Sequence, residues 1–159
     1  NMLTVEKHFS KGEDIGWVGK ITAVDTDLIE TLLMNGYTPI ISTIGLDEKY
    51  NAYNINADDV ATAIARALKA SKLVFLTDIE GVLKDPNDPK TLISKINTAS
   101  AKVLFESGII QGGMIPKLQN CIDAVQNDVN KVHILDGRME HSLLVEIFTT
   151  NGVGTEIKK

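Results

Sequence analysis

Apolar positions along the chain alternate between a spacing of about two and a spacing of about 3.6, and the switches mark out the expected elements. Residues 3–9 and 17–24 read as the strands of a β-hairpin spanning 1–24, joined by the polar stretch 10–15. A helix follows, capped by Asp25 or Thr26, with Leu28, Leu32 and Leu33 on one side and Gly36 at its end. The β-branched run 38–44, bounded by Gly36 and Gly45, reads as a buried strand. From there the alternation is regular. Residues 58–70 form a helix with Val60, Ile64, Ala67 and Leu68 on its apolar face, and 72–78 a strand. Residues 98–107 form a helix stopped by Gly108, 116–126 another, and 131–135 a strand. A last helix at 140–148 precedes an edge strand at 154–159.

Strands separated by helices of about ten residues require crossover connections and favour parallel pairing. The expectation is α/β: a three-layer α/β/α sandwich with a mainly parallel sheet. With 159 residues and no composition break, one domain is the expected count. In such sheets ligands bind beyond the carboxyl ends of the strands, which singles out the loops at 51–58, 77–85 and 108–117.

Composition narrows the functional classes. Apolar residues make up 43% and charged residues 23% of the chain, as in ordinary globular proteins. The net charge of −5 argues against nonspecific nucleic-acid binding, which needs clustered cations. No apolar run reaches the roughly 20 residues of a membrane span, and residues 1–13 show no secretory pattern. Cys121 is the single cysteine, and its helical spacing with Leu118, Ile122 and Val125 predicts a packed thiol in a reducing cytoplasm. His8, His133 and His141 lack metal-ligand spacing, so no metal site is expected. No Walker phosphate loop and no dinucleotide fingerprint occurs.

Three segments carry candidate chemistry. In Asn54-Ile55-Asn56-Ala57-Asp58 the polar residues either cap the helix that follows or, at alternate positions of an extended chain, converge on one ligand. In Gly112-Gly113-Met114-Ile115-Pro116-Lys117, paired glycines permit close backbone approach, Pro116 suits the first helical position, and Lys117 falls in the opening turn. A helix N-terminus beside an ammonium group attracts phosphate, although a helix lysine is often merely solvated. In Thr77-Asp78-Ile79-Glu80-Gly81-Val82-Leu83 a strand runs into an acidic, glycine-containing loop, which is either an ordinary βα turn or a nucleotide contact. His133 reads as a packed strand residue.

In this order, Asn54-Ile55-Asn56-Ala57-Asp58, Leu76-Thr77-Asp78-Ile79-Glu80-Gly81-Val82-Leu83 and Gly108-Ile109-Ile110-Gln111-Gly112-Gly113-Met114-Ile115-Pro116-Lys117 resemble the acetylglutamate kinases of the amino-acid kinase family. The resemblance continues through Asp136-Gly137-Arg138 and Glu146-Ile147-Phe148-Thr149 to Gly152-Val153-Gly154-Thr155. It also reaches back to Gly16-Trp17-Val18-Gly19 and Gly36-Tyr37-Thr38-Pro39-Ile40-Ile41, covering nearly the whole chain. It implies the C-terminal, nucleotide-binding half of an enzyme that makes an acylphosphate and ADP from N-acetyl-L-glutamate and ATP in arginine biosynthesis. By that resemblance Lys117 stabilises the transition state, Asp58 orients the catalytic lysines, and Asn54 and Asn56 serve the amino-acid substrate. Thr77, Asp78, Ile79, Glu80, Gly81, Val82, Leu83, Ile109, Ile110, Gln111, Gly112 and Gly113 surround the nucleotide, whose phosphates carry Mg²⁺. His133, Glu146, Gly152 and Gly154 resemble the region where L-arginine inhibits some members, and a carboxylate such as Glu146 suits a guanidinium.

Full-length members begin with a lysine- and glycine-rich phosphate loop and a second glycine-rich loop with an arginine, neither of which is among these residues. The resemblance therefore implies an absent N-terminal amino-acid-binding lobe and no turnover by this chain alone. It also implies a cytoplasmic, homo-oligomeric parent without nucleic-acid or membrane partners. Two alternatives remain: the nucleotide lobe of another amino-acid kinase, and a non-catalytic arginine-binding module.

Overall fold

The computed structural model describes residues 1–150 and 152–159, which divide into two compact units, Asn1–Leu68 and Lys69–Lys159. The first unit opens with β1 (Leu3–Ser10) and β2 (Glu13–Val24), paired antiparallel. The expected polar loop at 10–15 is much tighter than read. Lys11 and Gly12 both take left-handed φ values of 51° and 86°, so a two-residue turn matching the strand twist joins strands that run up to it. Helix α1 (Asp27–Met34) starts where Asp25 accepts the Asp27 N–H at 3.1 Å, and Gly36 follows its end. Its buried residue is Ile29, whereas Leu28 and Leu33, read as part of the apolar face, are exposed.

The run 38–44 corrects a second expectation. Residues 38–43 join no strand, Ile40 is 98% exposed, and the short strand β3 occupies Ile44–Leu46 instead. β-Branched composition favours an extended backbone but cannot supply a ladder partner, and Pro39 brings no N–H to one. Strand β4 (Ala52–Asn54) and helix α2 (Ala57–Ala67) complete the unit. The strands close into a small barrel in the order β1-β2-β4-β3, with β3 parallel to β1 and β4 parallel to β2. Leu3, Val5, Tyr53, Ile55 and Val60 form its core.

The second unit contains β5 (Leu73–Thr77), a 3₁₀ turn at Pro89–Thr91, β6 (Lys95–Asn97), α3 (Thr98–Glu106), α4 (Met114–Gln126), β7 (Lys131–Asp136), α5 (Ser142–Phe148) and β8 (Thr155–Lys158). Its sheet has the order β5-β7-β8-β6. The β5/β7 and β8/β6 pairs are parallel, while β7 and β8 run antiparallel, so the sheet is mixed. β8, read as an edge strand, is interior. Sequence period cannot distinguish these positions, because Ile157 is buried by neighbours on both sides of the strand.

In β7 four successive residues, Val132, His133, Ile134 and Leu135, are buried, so both faces of the strand are covered. Helix α4 supplies Leu118, Cys121, Ile122, Ala124 and Val125 to this core, which accounts for the spacing around Cys121. α4 begins two residues earlier than expected, placing Pro116 at its third position. That site still lies in the first turn, where a missing N–H breaks no intrahelical bond. Among the described residues no helix is long and apolar enough to cross a membrane.

Candidate functional site

Two connections in the second unit define a cavity of about 400 Å³. The first leaves the carboxyl end of β5 and contributes Thr77, Asp78, Ile79, Gly81, Leu83 and Pro86. The second leads from α3 into α4 and contributes Ile109, Ile110, Gln111, Gly113, Met114 and Lys117. Isoleucine, leucine, proline and methionine walls suit a flat apolar group, and the few polar heads can fix its orientation. Thr77 donates to Asp78 at 3.2 Å, and the Gln111 amide donates to the Gly108 carbonyl at 3.0 Å.

Most of the residues read from sequence as nucleotide contacts line this cavity. Glu80, Val82 and Gly112 do not. Val82 is fully buried and acts as structural anchor of the loop: its N–H donates to the Thr155 hydroxyl at 2.9 Å, and that hydroxyl donates to the Ile93 carbonyl at 2.8 Å. The Ile93 N–H returns to the Val82 carbonyl at 2.8 Å. A buried threonine thus ties the cavity loop to β8, a role that sequence reading missed because nothing local marks Thr155. Pro86 is a lining residue that it missed, and Met114 one that it placed in the glycine-rich segment without giving it a role.

Lys117 sits in the first turn of α4, whose N-cap Gly113 offers no side-chain acceptor. Its ammonium lies 5.2 Å from the centroid of the Phe75 ring. Asp136 and Arg138 lock the end of β7: the guanidinium meets both carboxylate oxygens at 2.9 Å, and the Gly137 N–H donates to the Thr77 carbonyl at 2.7 Å. The Arg138 hydrogen bonds hold the Asp136 carboxyl below its ordinary value.

In the first unit Tyr53 and Ile55 point inward while Asn54 and Asn56 are exposed. The Asn56 side chain caps α2, accepting from the Asp58 and Asp59 N–H groups at 2.9 and 3.3 Å. The extended alternation therefore stops before Asp58, which belongs to the first helical turn. Of the two readings of this segment, the cap accounts for Asn56.

A second, polar pocket of about 290 Å³ lies elsewhere in the second unit, lined by Lys72, Ser94, Lys95, Lys131, His133, Glu146, Ile147, Thr149, Thr150, Gly152, Glu156 and Lys158. His133 and Glu146 have side chains only 6% exposed and meet at 2.7 Å through Nδ1 and Oε1. The other carboxylate oxygen accepts the Val153 and Gly154 N–H groups at 2.7 and 3.1 Å. Burial pushes the Glu146 carboxyl up, but the bonds from Val153, His133 and Gly154 outweigh it and hold the group below its ordinary 4.5. An ionised carboxylate only accepts, so Nδ1 of His133 carries the proton, and its buried Nε2 has no partner among the described residues. Gly152 has a left-handed φ of 61°, and a side chain there would run into Glu146. Gly154 does not line the pocket but supplies an N–H to it. Across the floor Lys131 pairs with Glu156 at 2.7 Å, which keeps the Glu156 carboxyl low. Among the described residues no group of three His, Cys, Asp or Glu side chains is placed to hold a metal ion.

The cavity lies beyond the carboxyl end of β5 and is closed by the first turn of α4, the kind of place where open α/β sheets bind ligands. The chain belongs to the Amino acid kinase family, whose pattern it matches over residues 2–136. It is similar to the acetylglutamate kinase of Brachyspira hyodysenteriae, at 52% identity over 99% of this chain and 54% of that protein. The chain thus spans about half the length of the curated relatives it matches. A structure of N-acetylglutamate synthase from Neisseria gonorrhoeae, complexed with coenzyme A and L-arginine, superposes with a TM-score of 0.90 at 29% identity, covering 100% of this chain and 37% of that one. Carbamate kinase from Giardia lamblia, bound to AMP-PNP, shares the fold, with a TM-score of 0.65 at 19% identity over 89% of this chain and 47% of that one.

Proposed function

We propose that this chain is the nucleotide-binding part of an acetylglutamate kinase, transferring the γ-phosphoryl group of ATP to the side-chain carboxylate of N-acetyl-L-glutamate. The observation that carries the reading is Lys117: it lies in the first turn of α4 and lines the same cavity as the 77–83 loop and the 109–113 segment. The apolar walls suit the adenine ring, and the ammonium suits the phosphates. In the transfer a carboxylate oxygen bonds to the γ-phosphorus while the bond to the β–γ bridging oxygen breaks and ADP leaves. The attacking carboxylate is already ionised, so no base is needed; alignment and neutralisation of phosphoryl charge remain. Lys117 serves that neutralisation, and Mg²⁺ held by the phosphates supplies further positive charge. Asn54 contacts acetylglutamate in this reading, and Asn56 caps the helix that carries Asp58. The relatives named acetylglutamate kinase support this substrate over those of other amino-acid kinases. The complete enzyme is a cytoplasmic homo-oligomer with a mainly parallel, three-layer core, and this chain alone does not turn over.

A second reading concerns the polar pocket. We infer that it takes L-arginine as effector, the guanidinium meeting the Glu146 carboxylate, supported by that residue's buried, ionised state and by the arginine of the synthase complex.

Calorimetry on the chain with ADP·Mg²⁺, adenosine and L-arginine tests both readings. Lys117→Ala is expected to weaken ADP binding by about 1.5–3 kcal/mol, the worth of hydrogen bonds to a charged group, while leaving adenosine unchanged. Equal ADP affinity in the variant defeats the assignment of Lys117, and arginine binding without nucleotide binding favours the non-catalytic module.

A further inference from the structure

We propose that Thr155 is a positioning residue for the nucleotide, its hydroxyl setting the stretch of the 77–83 loop that forms one wall of the apolar cavity. The proposal rests on the reading of that cavity as the nucleotide site. Gly81 and Leu83 line the cavity, while Val82 between them is fully buried and does not. A hold on Val82 therefore fixes the wall residue on either side of it. That hold comes from 73 residues further along the chain. Thr155 opens β8, is itself fully buried, and uses its hydroxyl twice: it accepts from the Val82 N–H at 2.9 Å and donates to the Ile93 carbonyl at 2.8 Å. The Ile93 N–H donates to the Val82 carbonyl at 2.8 Å, and Leu83 and Leu92 form an antiparallel bridge beside it.

The arrangement has no slack. A side-chain carbon at Gly81 would lie 2.6 Å from the Thr155 Oγ1, and one at Gly154 would run into the Ile134 carbonyl. Thr155 is fixed in turn by pairing with Ile134 of β7, and the Glu156 N–H donates to the Ser94 carbonyl at 2.9 Å. Valine has the same shape as threonine, so packing alone does not call for a hydroxyl here; the hydroxyl answers two buried backbone groups. At its other end the loop is fixed by the Gly137 N–H, which donates to the Thr77 carbonyl at 2.7 Å. A wall held at both ends before the ligand arrives does not have to be ordered on binding, and the affinity is higher by that amount.

The test is calorimetry with ADP·Mg²⁺ and with adenosine on the wild type, Thr155→Val and Thr155→Ser, without denaturant and with amide protection in β5 and β7 showing that each chain is folded. Thr155→Val is expected to bind both ligands about three- to tenfold more weakly, because both use the same wall. Thr155→Ser keeps the hydroxyl and is expected to stay within about twofold of the wild type for both, although the lost methyl lowers its stability too. A change that only weakens the fold lowers the unfolding midpoint and leaves the affinity of the folded chain as it was. Equal losses in the two variants, or a loss confined to ADP, overturn the proposal. A further measurement needs no variant to fold: in the wild type, saturating ADP·Mg²⁺ is expected to slow exchange of the Val82 amide, since release of the anchor and nucleotide binding oppose one another. An unchanged rate there overturns the proposal as well. If the wild type binds neither ADP nor adenosine, the reading of the cavity fails first and the proposal falls with it. If the wild type binds both and Thr155→Val binds them equally well, the proposal alone fails.

Discussion

Replacing Glu146 with alanine removes the acceptor of three buried hydrogen bonds at once: from His133 Nδ1 at 2.7 Å, the Val153 N–H at 2.7 Å and the Gly154 N–H at 3.1 Å. A buried donor left without partner costs about 1–3 kcal/mol, and the pocket beside Glu146 admits water that relieves part of this, so the low end applies to each and the total is about 3 kcal/mol. With a urea m-value of about 2 kcal/mol/M, the unfolding midpoint of the second unit is expected to fall by about 1.5 M. Amide exchange in β7 and β8 reports the change, and the Val153 and Gly154 amides are expected to lose protection first. Glu146→Gln keeps an oxygen for the two backbone donors and is expected to cost less. The pH dependence follows from the depressed carboxyl. Its stabilisation is present above the ordinary value of 4.5 and is lost as pH falls through the lower folded value, a loss that Glu146→Gln abolishes. A midpoint for Glu146→Ala within about 0.3 M of the wild type refutes the reasoning, since a cost so small means that the three donors are satisfied without the carboxylate.

Thr155→Val keeps the shape of the side chain but leaves the Val82 N–H and the Ile93 carbonyl unpaired; a loss of about 2 kcal/mol is expected, with the Val82 amide exchanging faster than those of β7. Unchanged protection at Val82 shows that the hydroxyl does not anchor the loop. Asn56→Ala removes the cap of α2 and is expected to cost about 1 kcal/mol in thermal unfolding of the first unit, with Asn56→Ser restoring it. If serine fails where asparagine succeeds, Asn56 does more than cap.

Several elements were legible because their causes are local. The spacing of Leu118, Cys121, Ile122 and Val125 marked a buried helix face, and those residues do pack inside the second unit. By their resemblance to a known family the 77–83 and 109–113 segments were expected to surround one ligand, and most of their residues line one cavity. The Asn54 to Asp58 segment offered two readings, a cap and a polar cluster, because both use the same residues; coordinates were needed to give the Asn56 side chain to the helix.

Other features lie beyond any local signal. The run 38–44 has strand composition, but a strand exists only where a second one offers its N–H and C=O groups, and residues 38–43 find no such ladder among the described residues. Likewise β8 reads as a terminal edge strand, yet it sits between β7 and β6, and its antiparallel run beside β7 makes the sheet mixed. By itself the sequence determined the strand and helix periods, the caps and the order of the motifs, since these depend on side chains a few residues apart. The tertiary structure alone decided strand neighbours, the anchoring of Val82 by Thr155, the burial of His133 against Glu146 and the seating of Lys117 over Phe75. Each of those joins residues remote in the chain, and no short-range pattern encodes which distant group will arrive.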